Sequence, residues 1–343
     1  MKAMILRRTA MMSDDAEPLE TADIAMPECG PGDVRIRVSV CGVCHTELDE
    51  IEGRAAPPHL PIIPGHQVVG RIEAIGGDVG DLRVGDRVGV AWIFSACGEC
   101  AYCRSGRENL CAEFCATGRD IDGGYAEYMR APAAFVHPIP DALDDVAAAP
   151  LLCAGAVGYR ALRLSGLADG EALGLTGFGA SAHLVLQLVR QRFPQSRVHV
   201  FARSPDQRAR ALALGASWAG DTSDAPPEAL AAIIDTTPAW RPIVAALTAL
   251  KPGGRLVVNA IRKEETDKAA LLDVDYGRDL WMEKALLSVA NVTRADVREF
   301  LDWAAQGHVT PQTVTYPLAE ANRALRDLKA GRVPGAAVLV VKA

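Results

Sequence analysis

The sequence predicts a mixed α/β chain in two parts, an irregular β-rich part and a doubly wound parallel sheet. Three observations carry that prediction. Short β-type runs broken by Gly and Pro fill the chain to about Val136. From about Cys153 to Val289, apolar runs alternate with amphipathic or Ala-rich stretches, as strand–helix–strand units do. A glycine-rich turn at Gly177 falls between one such run and the next helical stretch.

In the first part, Val34–Val40 alternates and is β-branched, as a half-buried strand would be. Val68–Ile75 and Arg87–Val90 read the same way, with turn signals at Gly76-Gly77 and Gly85-Asp86. Around Pro138, Pro140 and Pro150 the character changes. The runs Ala172–Thr176, Val198–Phe201, Ala231–Asp235, Arg255–Ala260 and Leu286–Val289 are the expected parallel strands, with helices over Ala180–Gln191 and Gln207–Leu214. Two more helices are expected near Ala295–Gln306 and Leu318–Ala330, then a strand, Ala336–Val341, closing back onto the first part. The expected domains are 1–152, completed by 290–343, and 153–289.

Bulk properties narrow the function. The chain has 343 residues and a net charge of −7. It carries no Lys/Arg run, which argues against a nucleic-acid partner. No stretch of about 18 apolar residues occurs, so no membrane span is expected. Met1–Ala10 has no long apolar stretch behind its basic residues and reads as neither signal nor anchor. Nine cysteines, most of them in metal-like settings, point to a reducing compartment, the cytoplasm.

Cys97, Cys100, Cys103 and Cys111 are spaced C-x2-C-x2-C-x7-C. Four thiolates so close in the chain suit tetrahedral Zn²⁺ and leave no open position, which makes the zinc structural. A ferredoxin-type cluster would end C-x3-C-P, and Ala112 follows Cys111 here. Cys29, Cys41 and Cys115 read as structural thiols.

Gly177-Phe178-Gly179-Ala180-Ser181-Ala182 matches the dinucleotide fingerprint G-x-G-x-x-G/A. The first glycine permits the tight turn, the second admits pyrophosphate, and the small last residue lets helix and strand approach. The next strand should end in Asp or Glu if the ribose carries a free 2′-hydroxyl. It ends Val200-Phe201-Ala202-Arg203 instead. Ala202 leaves room and Arg203 can pair with a 2′-phosphate, assisted by Arg208, which favours NADP(H) over NAD(H). Asn259, near the end of a later strand, is expected to contact the cofactor.

Cys44, His66 and Cys153 form a second candidate zinc set, in the contexts Cys41-Gly-Val-Cys44-His45-Thr46, Pro64-Gly65-His66-Gln67 and Leu151-Leu-Cys153. Two thiolates, one imidazole and a vacant position describe a catalytic zinc. With these residues, the four-cysteine lobe and the glycine motif, the chain resembles, end to end, the zinc-dependent alcohol dehydrogenases of the medium-chain dehydrogenase/reductase superfamily. That resemblance implies a GroES-like catalytic domain, a Rossmann cofactor domain and an active site in the cleft between them. It also implies two zinc ions per chain and reversible hydride transfer between a nicotinamide and a primary alcohol or aldehyde. Thr46 would take the alcohol proton, His45 would lie near the pyrophosphate, and Trp92 would narrow the pocket. A homodimer or homotetramer is implied as well.

Two departures from the family pattern stand out. Gln67 replaces the usual Glu, and Asp49 stands where the proton relay is often His. Glu47 takes a position often filled by Asp, where it can hold the zinc histidine. The competing readings are a zinc-free, NADPH-dependent quinone or enone reductase on the same fold, and a non-catalytic zinc- and nucleotide-binding module.

Overall fold

The computed structural model describes residues 1–341 and divides the chain into two compact units. The first comprises Met1–Ala156, Val292–Gly307 and the chain from Pro311 on; the second is Val157–Asn291 with His308–Thr310.

The first unit opens with an antiparallel pair, β1 (Lys2–Leu6) and β2 (Leu19–Asp23). Strand β3 (Asp33–Val43) is long because its β-branched alternation runs on through Cys41 and Val43. Helix α1 (His45–Ile51) follows at once. Then come β4 (Val68–Ile75), β5 (Arg87–Val90), and β6 (Ile93–Ser95), which pairs with β7 (Cys115–Ala116). Between β6 and β7 lies the short helix α2 (Ala101–Arg104). Strands β8 (Tyr128–Pro132) and β9 (Val136–Pro138) lead to α3 (Asp145–Pro150). Pro150 ends regular helix there, because it withholds an N–H from the ladder. The chain continues through a wide helical turn, Leu151–Gly155, which carries Cys153, into α4 (Ala156–Ser165).

The second unit is a six-stranded parallel sheet. Its strands are β10 (Leu173–Thr176), β11 (Val198–Phe201), β12 (Trp218–Gly220), β13 (Leu230–Asp235), β14 (Leu250–Val258) and β15 (Ala285–Ser288). Helices α5 (Ala180–Arg192), α6 (Pro205–Ala213) and α7 (Arg241–Ala249) connect them. The spatial order β12-β11-β10-β13-β14-β15 reads 3-2-1-4-5-6 within this sheet, which is the doubly wound dinucleotide-binding order. The expected run Val198–Phe201 is β11 as read, and the other expected strands overlap theirs. The three-residue β12 was not foreseen, since Trp218-Ala-Gly is too short to show a period.

The chain then returns to the first unit through α8 (Arg294–Trp303), β16 (Thr313–Pro317), α9 (Ala321–Lys329) and β17 (Ala336–Val340). Strand β17 pairs antiparallel with β3, Leu339 opposite Cys41, and completes a sheet ordered β16-β17-β3-β4-β5-β9 with β8 also on β3. Val34, Ile36, Val68, Ile72, Val88 and Leu339 are buried in its core. Burial of each such side chain contributes about 1.5–3 kcal/mol. Buried Glu52 accepts from Lys329 of α9, from Arg54 and from the Met12 N–H, which ties the N-terminal segment and α9 to the end of α1. A carboxylate this deep is tolerable only with such partners.

Candidate active site and metal centres

The four-cysteine lobe is formed by the turn before α2, α2 itself and Cys111. The sulfurs of Cys97, Cys100, Cys103 and Cys111 all lie within 4.8 Å of one another. Cys97 Sγ is 3.8 Å from Cys103 Sγ and 3.5 Å from Cys111 Sγ. A tetrahedron of Zn–S bonds near 2.3 Å has edges of about 3.8 Å, so the set fits zinc. None of the nine cysteines is in a disulfide. The Cys103 backbone N–H draws the Cys100 thiol down to about 7, towards the thiolate that a metal requires.

The second set lies in the same unit. Cys44, at the N-cap of α1, His66 and Cys153 bring their ligand atoms within 4.8 Å of one another. Cys44 Sγ is 3.6 Å from His66 Nε2. One thiolate and one imidazole on a tetrahedral zinc would stand about 3.6 Å apart. Backbone geometry aims these side chains. Cys44 is extended and accepts from the Thr46 N–H at 3.3 Å, while Glu47 Oε2 accepts from the Cys44 N–H at 2.8 Å. Gly65 has φ +101, and a Cβ there would come within 2.4 Å of the Tyr125 ring and 2.9 Å of Cys41 Sγ. Only glycine turns the chain there and delivers fully buried His66.

Glu47 Oε1 lies 2.6 Å from His66 Nδ1, and both side chains are fully buried. The carboxylate thus fixes the imidazole with Nε2 towards Cys44. Burial alone would lower the His66 pKa, but Glu47 and Cys44 outweigh it and hold the ring well above its ordinary value. The Cys44 thiol is pushed up by its hydrogen bond with Cys153, by burial and by Glu47. A bound cation inverts both preferences, because it favours the neutral imidazole and the thiolates.

Thr46 is buried on α1 and His45 is exposed on the same first turn. Asp49 is buried and ion-paired with Arg54 at 2.7 Å. Trp92, half-buried, stacks on Phe114 with centroids 4.9 Å apart, and the Arg119 guanidinium sits 5.5 Å from the Trp92 ring centroid. Gln67 is buried with its side chain against Gly42. Sequence reading missed Glu50, whose carboxyl is buried one helical turn beyond Glu47. The i, i+3 spacing of two acids on one short helix was the available signal. Burial and then Glu47 push the Glu50 carboxyl well above the usual carboxylate range, against the pull of His66, Arg119 and the Trp92 indole.

In the second unit, Gly177 follows β10 with φ +79, and a Cβ there would come within 2.7 Å of Thr236 Oγ1 beyond β13. This is the point where the strand order reverses, and ligands of such sheets bind there. Gly179 is the N-cap of α5, with no side-chain cap and nothing within 4 Å of where a Cβ would stand. That open cradle at a helix N-terminus fits a pyrophosphate. Phe178 and Ala182 are buried, and Ala180 begins the helix. Asn259 Nδ2 donates to Ser181 Oγ at 3.0 Å, while its buried Oδ1 has no hydrogen-bond partner among the described residues. Arg203 is exposed just beyond buried Ala202. Arg208 donates to the carbonyls of Ala202 at 2.7 Å and Arg203 at 3.0 Å, and pairs with Asp221 at 3.3 Å, so it braces the strand end. A network missed by sequence lies at the end of β13, where fully buried Asp235 accepts from Thr176 at 2.8 Å, Thr237 at 2.7 Å and Lys263.

Two family models match the chain. One described as alcohol dehydrogenase GroES-like domain matches residues 30–141, and one described as zinc-binding dehydrogenase matches 205–339. The chain is 43% identical to a probable alcohol dehydrogenase, AdhA, of Mycobacterium tuberculosis, covering 99% of this chain and 97% of that one. It is 35% identical to an alcohol dehydrogenase of Geobacillus stearothermophilus, over 98% and 99% of the two chains. Among solved structures, a cinnamyl alcohol dehydrogenase of Sorghum bicolor superposes with a TM-score of 0.83 at 28% identity, over 99% and 97% of the two chains.

Proposed function

We propose, for a chain that belongs to the zinc-dependent alcohol dehydrogenases of the medium-chain dehydrogenase/reductase superfamily, reversible hydride transfer between a nicotinamide cofactor and a primary alcohol or aldehyde. The observation that carries this reading is the Cys44–His66–Cys153 set, three ligands within 4.8 Å with no fourth His, Cys, Asp or Glu grouped with them among the described residues. That composition suits a catalytic rather than a structural site. It also disfavours the zinc-free reductase, which has no use for these ligands.

Bound there, zinc supplies a Lewis acid for an alcohol or carbonyl oxygen, and the nicotinamide supplies or accepts the hydride. The chain's own residues do the rest. Cys44 and Cys153 bring two negative charges to the site, and Glu47 holds His66 in the ligating tautomer. Thr46 takes the alcohol proton and passes it on, with Asp49 or His45 completing the exit. Trp92 narrows the pocket in favour of primary alcohols. Cys97, Cys100, Cys103 and Cys111 hold the second, structural zinc.

The second unit, Val157–Asn291, where the expected span was 153–289, binds the cofactor, with pyrophosphate at the α5 N-terminus. Exposed Arg203, with no acid at the end of β11, supports NADP(H) over NAD(H). Arg208 contributes by bracing that strand end. A copy of the same chain is the proposed partner. Edge strand β15 leaves Leu286 and Leu287, 46% and 36% exposed, on opposite faces, and Trp281 and Met282 are exposed beside them. Bare apolar edges of this kind recruit another strand. Nine cysteines outside disulfides suit the cytoplasm.

The test is the nicotinamide absorbance change on adding a short primary aldehyde with NADPH or NADH. Turnover that is faster with NADPH, with the preference reduced about tenfold by Arg203→Ala, is expected. Unchanged cofactor preference in that variant would exclude the role of Arg203.

A further inference from the structure

Helix α6 reaches back to the glycine-rich turn through Arg210. Its Nη2 donates to the Phe178 carbonyl at 2.8 Å, and its guanidinium lies 5.6 Å from the centroid of the Phe178 ring. Phe178 is 1% exposed, so the ring offers the cation a fixed surface. Arg210 Nε is buried and has no hydrogen-bond partner among the described residues. The carbonyl and the ring are therefore what hold this guanidinium. Arg208, by contrast, is committed to Ala202, Arg203 and Asp221.

The Arg210 bond fixes one peptide plane. The one cis peptide among the described residues is Leu60–Pro61, so the Phe178–Gly179 peptide is trans. In a planar trans peptide the C=O and the N–H point in opposite directions. With its carbonyl drawn to Arg210, this peptide turns the Gly179 N–H away from Arg210. No backbone carbonyl among the described residues accepts from that N–H. The peptides on either side have backbone holders of their own. The Gly177 N–H donates to the Phe201 carbonyl at 2.8 Å, and the Gly179 carbonyl accepts from the His183 N–H at 3.2 Å. The Phe178–Gly179 peptide has no such bond at either end among the described residues. Glycine accepts either sign of φ, so Gly179 does not resist rotation of this peptide. Turned over, it would aim a carbonyl oxygen where an anion is to sit. A charged donor on the carbonyl opposes that rotation and also polarises the peptide, which strengthens its N–H as a donor.

We propose that Arg210 is a positioning residue for the cofactor's pyrophosphate, its guanidinium holding back the Phe178 carbonyl so that the Gly179 N–H is presented to the ligand. This rests on the reading that the turn at Gly177 binds a dinucleotide. Arg210 acts through the Phe178–Gly179 peptide. Its effect falls on the pyrophosphate, which NADPH and NADH share, and not on the 2′-phosphate that separates them.

The test uses full-length, zinc-loaded protein labelled with ¹³C-carbonyl phenylalanine and ¹⁵N-glycine. Phe-Gly occurs once in the sequence, at 178–179, so a single carbon–nitrogen correlation reports this peptide without mutational assignment. Arg210→Met keeps an apolar stem against Phe178 and removes the donor, while Arg210→Lys keeps a charged donor. The correlation is expected to move in the Met variant and to stay near its parent position in the Lys variant. Cofactor titrations followed by nicotinamide fluorescence are expected to show Kd for NADPH and for NADH raised by the same factor, about tenfold, in the Met variant, with Lys restoring both. An unmoved correlation in the Met variant overturns the proposal. So does a loss confined to NADPH, which would assign Arg210 to the 2′-phosphate, and so does a Lys variant that behaves like Met, which would assign the effect to packing on the ring. The correlation is read without cofactor, so a parent protein that binds neither nucleotide would refute the proposed function while the hold of Arg210 on this peptide is still decided.

Discussion

At the scale of single residues, the proposed catalytic metal set is held in place by one buried carboxyl group, that of Glu47. Glu47 serves two partners at once, the Cys44 N–H through Oε2 and His66 Nδ1 through Oε1. Glu47→Gln keeps an oxygen for the cap and removes the charge that orients the histidine. Affinity for the catalytic zinc should fall about 10–100-fold, read by chelator competition, while the four-cysteine zinc is retained. Equal affinity in mutant and parent would show that Gly65 and burial alone aim His66. The cysteines and the glycine motif were legible in the sequence because metal and phosphate chemistry demand particular residue types at short spacings. Glu50 and Arg119 were not, because Glu50 is buried only by the folded chain and Arg119 meets the Trp92 ring across it. Arg208 was legible as a charge following the strand end, whereas its bonds to Ala202, Arg203 and Asp221 appear only in three dimensions.

At the scale of elements, β9 carries a buried histidine outside any site. His137 is 1% exposed, neither ring nitrogen has a hydrogen-bond partner among the described residues, and burial, then Arg298 and Arg294, lowers its pKa to about 3. The unfolded chain binds this proton below about 6.5 and the folded chain does not until about 3. Its share of stability is therefore complete above about 6.5 and is lost as pH falls through that window. His137→Leu should flatten the fall of Tm between pH 6 and pH 4, measured on the zinc-loaded protein. An identical acid limb in the variant would place the acid sensitivity elsewhere. The strands themselves were legible wherever a period of two or a buried apolar run lasted four residues or more. Helix α1 was not, because seven residues rich in acids show no apolar stripe, and the Cys44–Glu47 capping box that starts it was read only as site chemistry.

For the whole molecule, strand–helix alternation was enough to foresee the doubly wound sheet, whose 3-2-1-4-5-6 order puts the Gly177 turn at the reversal point. The sequence of the first unit showed β character without its pairing, since β17 joins β3 across almost 300 residues. The exposed β15 edge belongs to this scale too. Leu286→Glu with Leu287→Glu should shift sedimentation of the native protein towards the monomer, and an unaltered oligomer would place the interface elsewhere. Under the proposed function one chain builds two zinc sites of different kind, one closed and one with an open position. The deciding measurement is zinc counted per chain, alongside turnover, in the parent protein and in Cys44→Ala. Two zincs with alcohol–aldehyde turnover in the parent, and one zinc with none in the variant, are expected. Retained turnover in the variant with its single zinc would contradict the assignment.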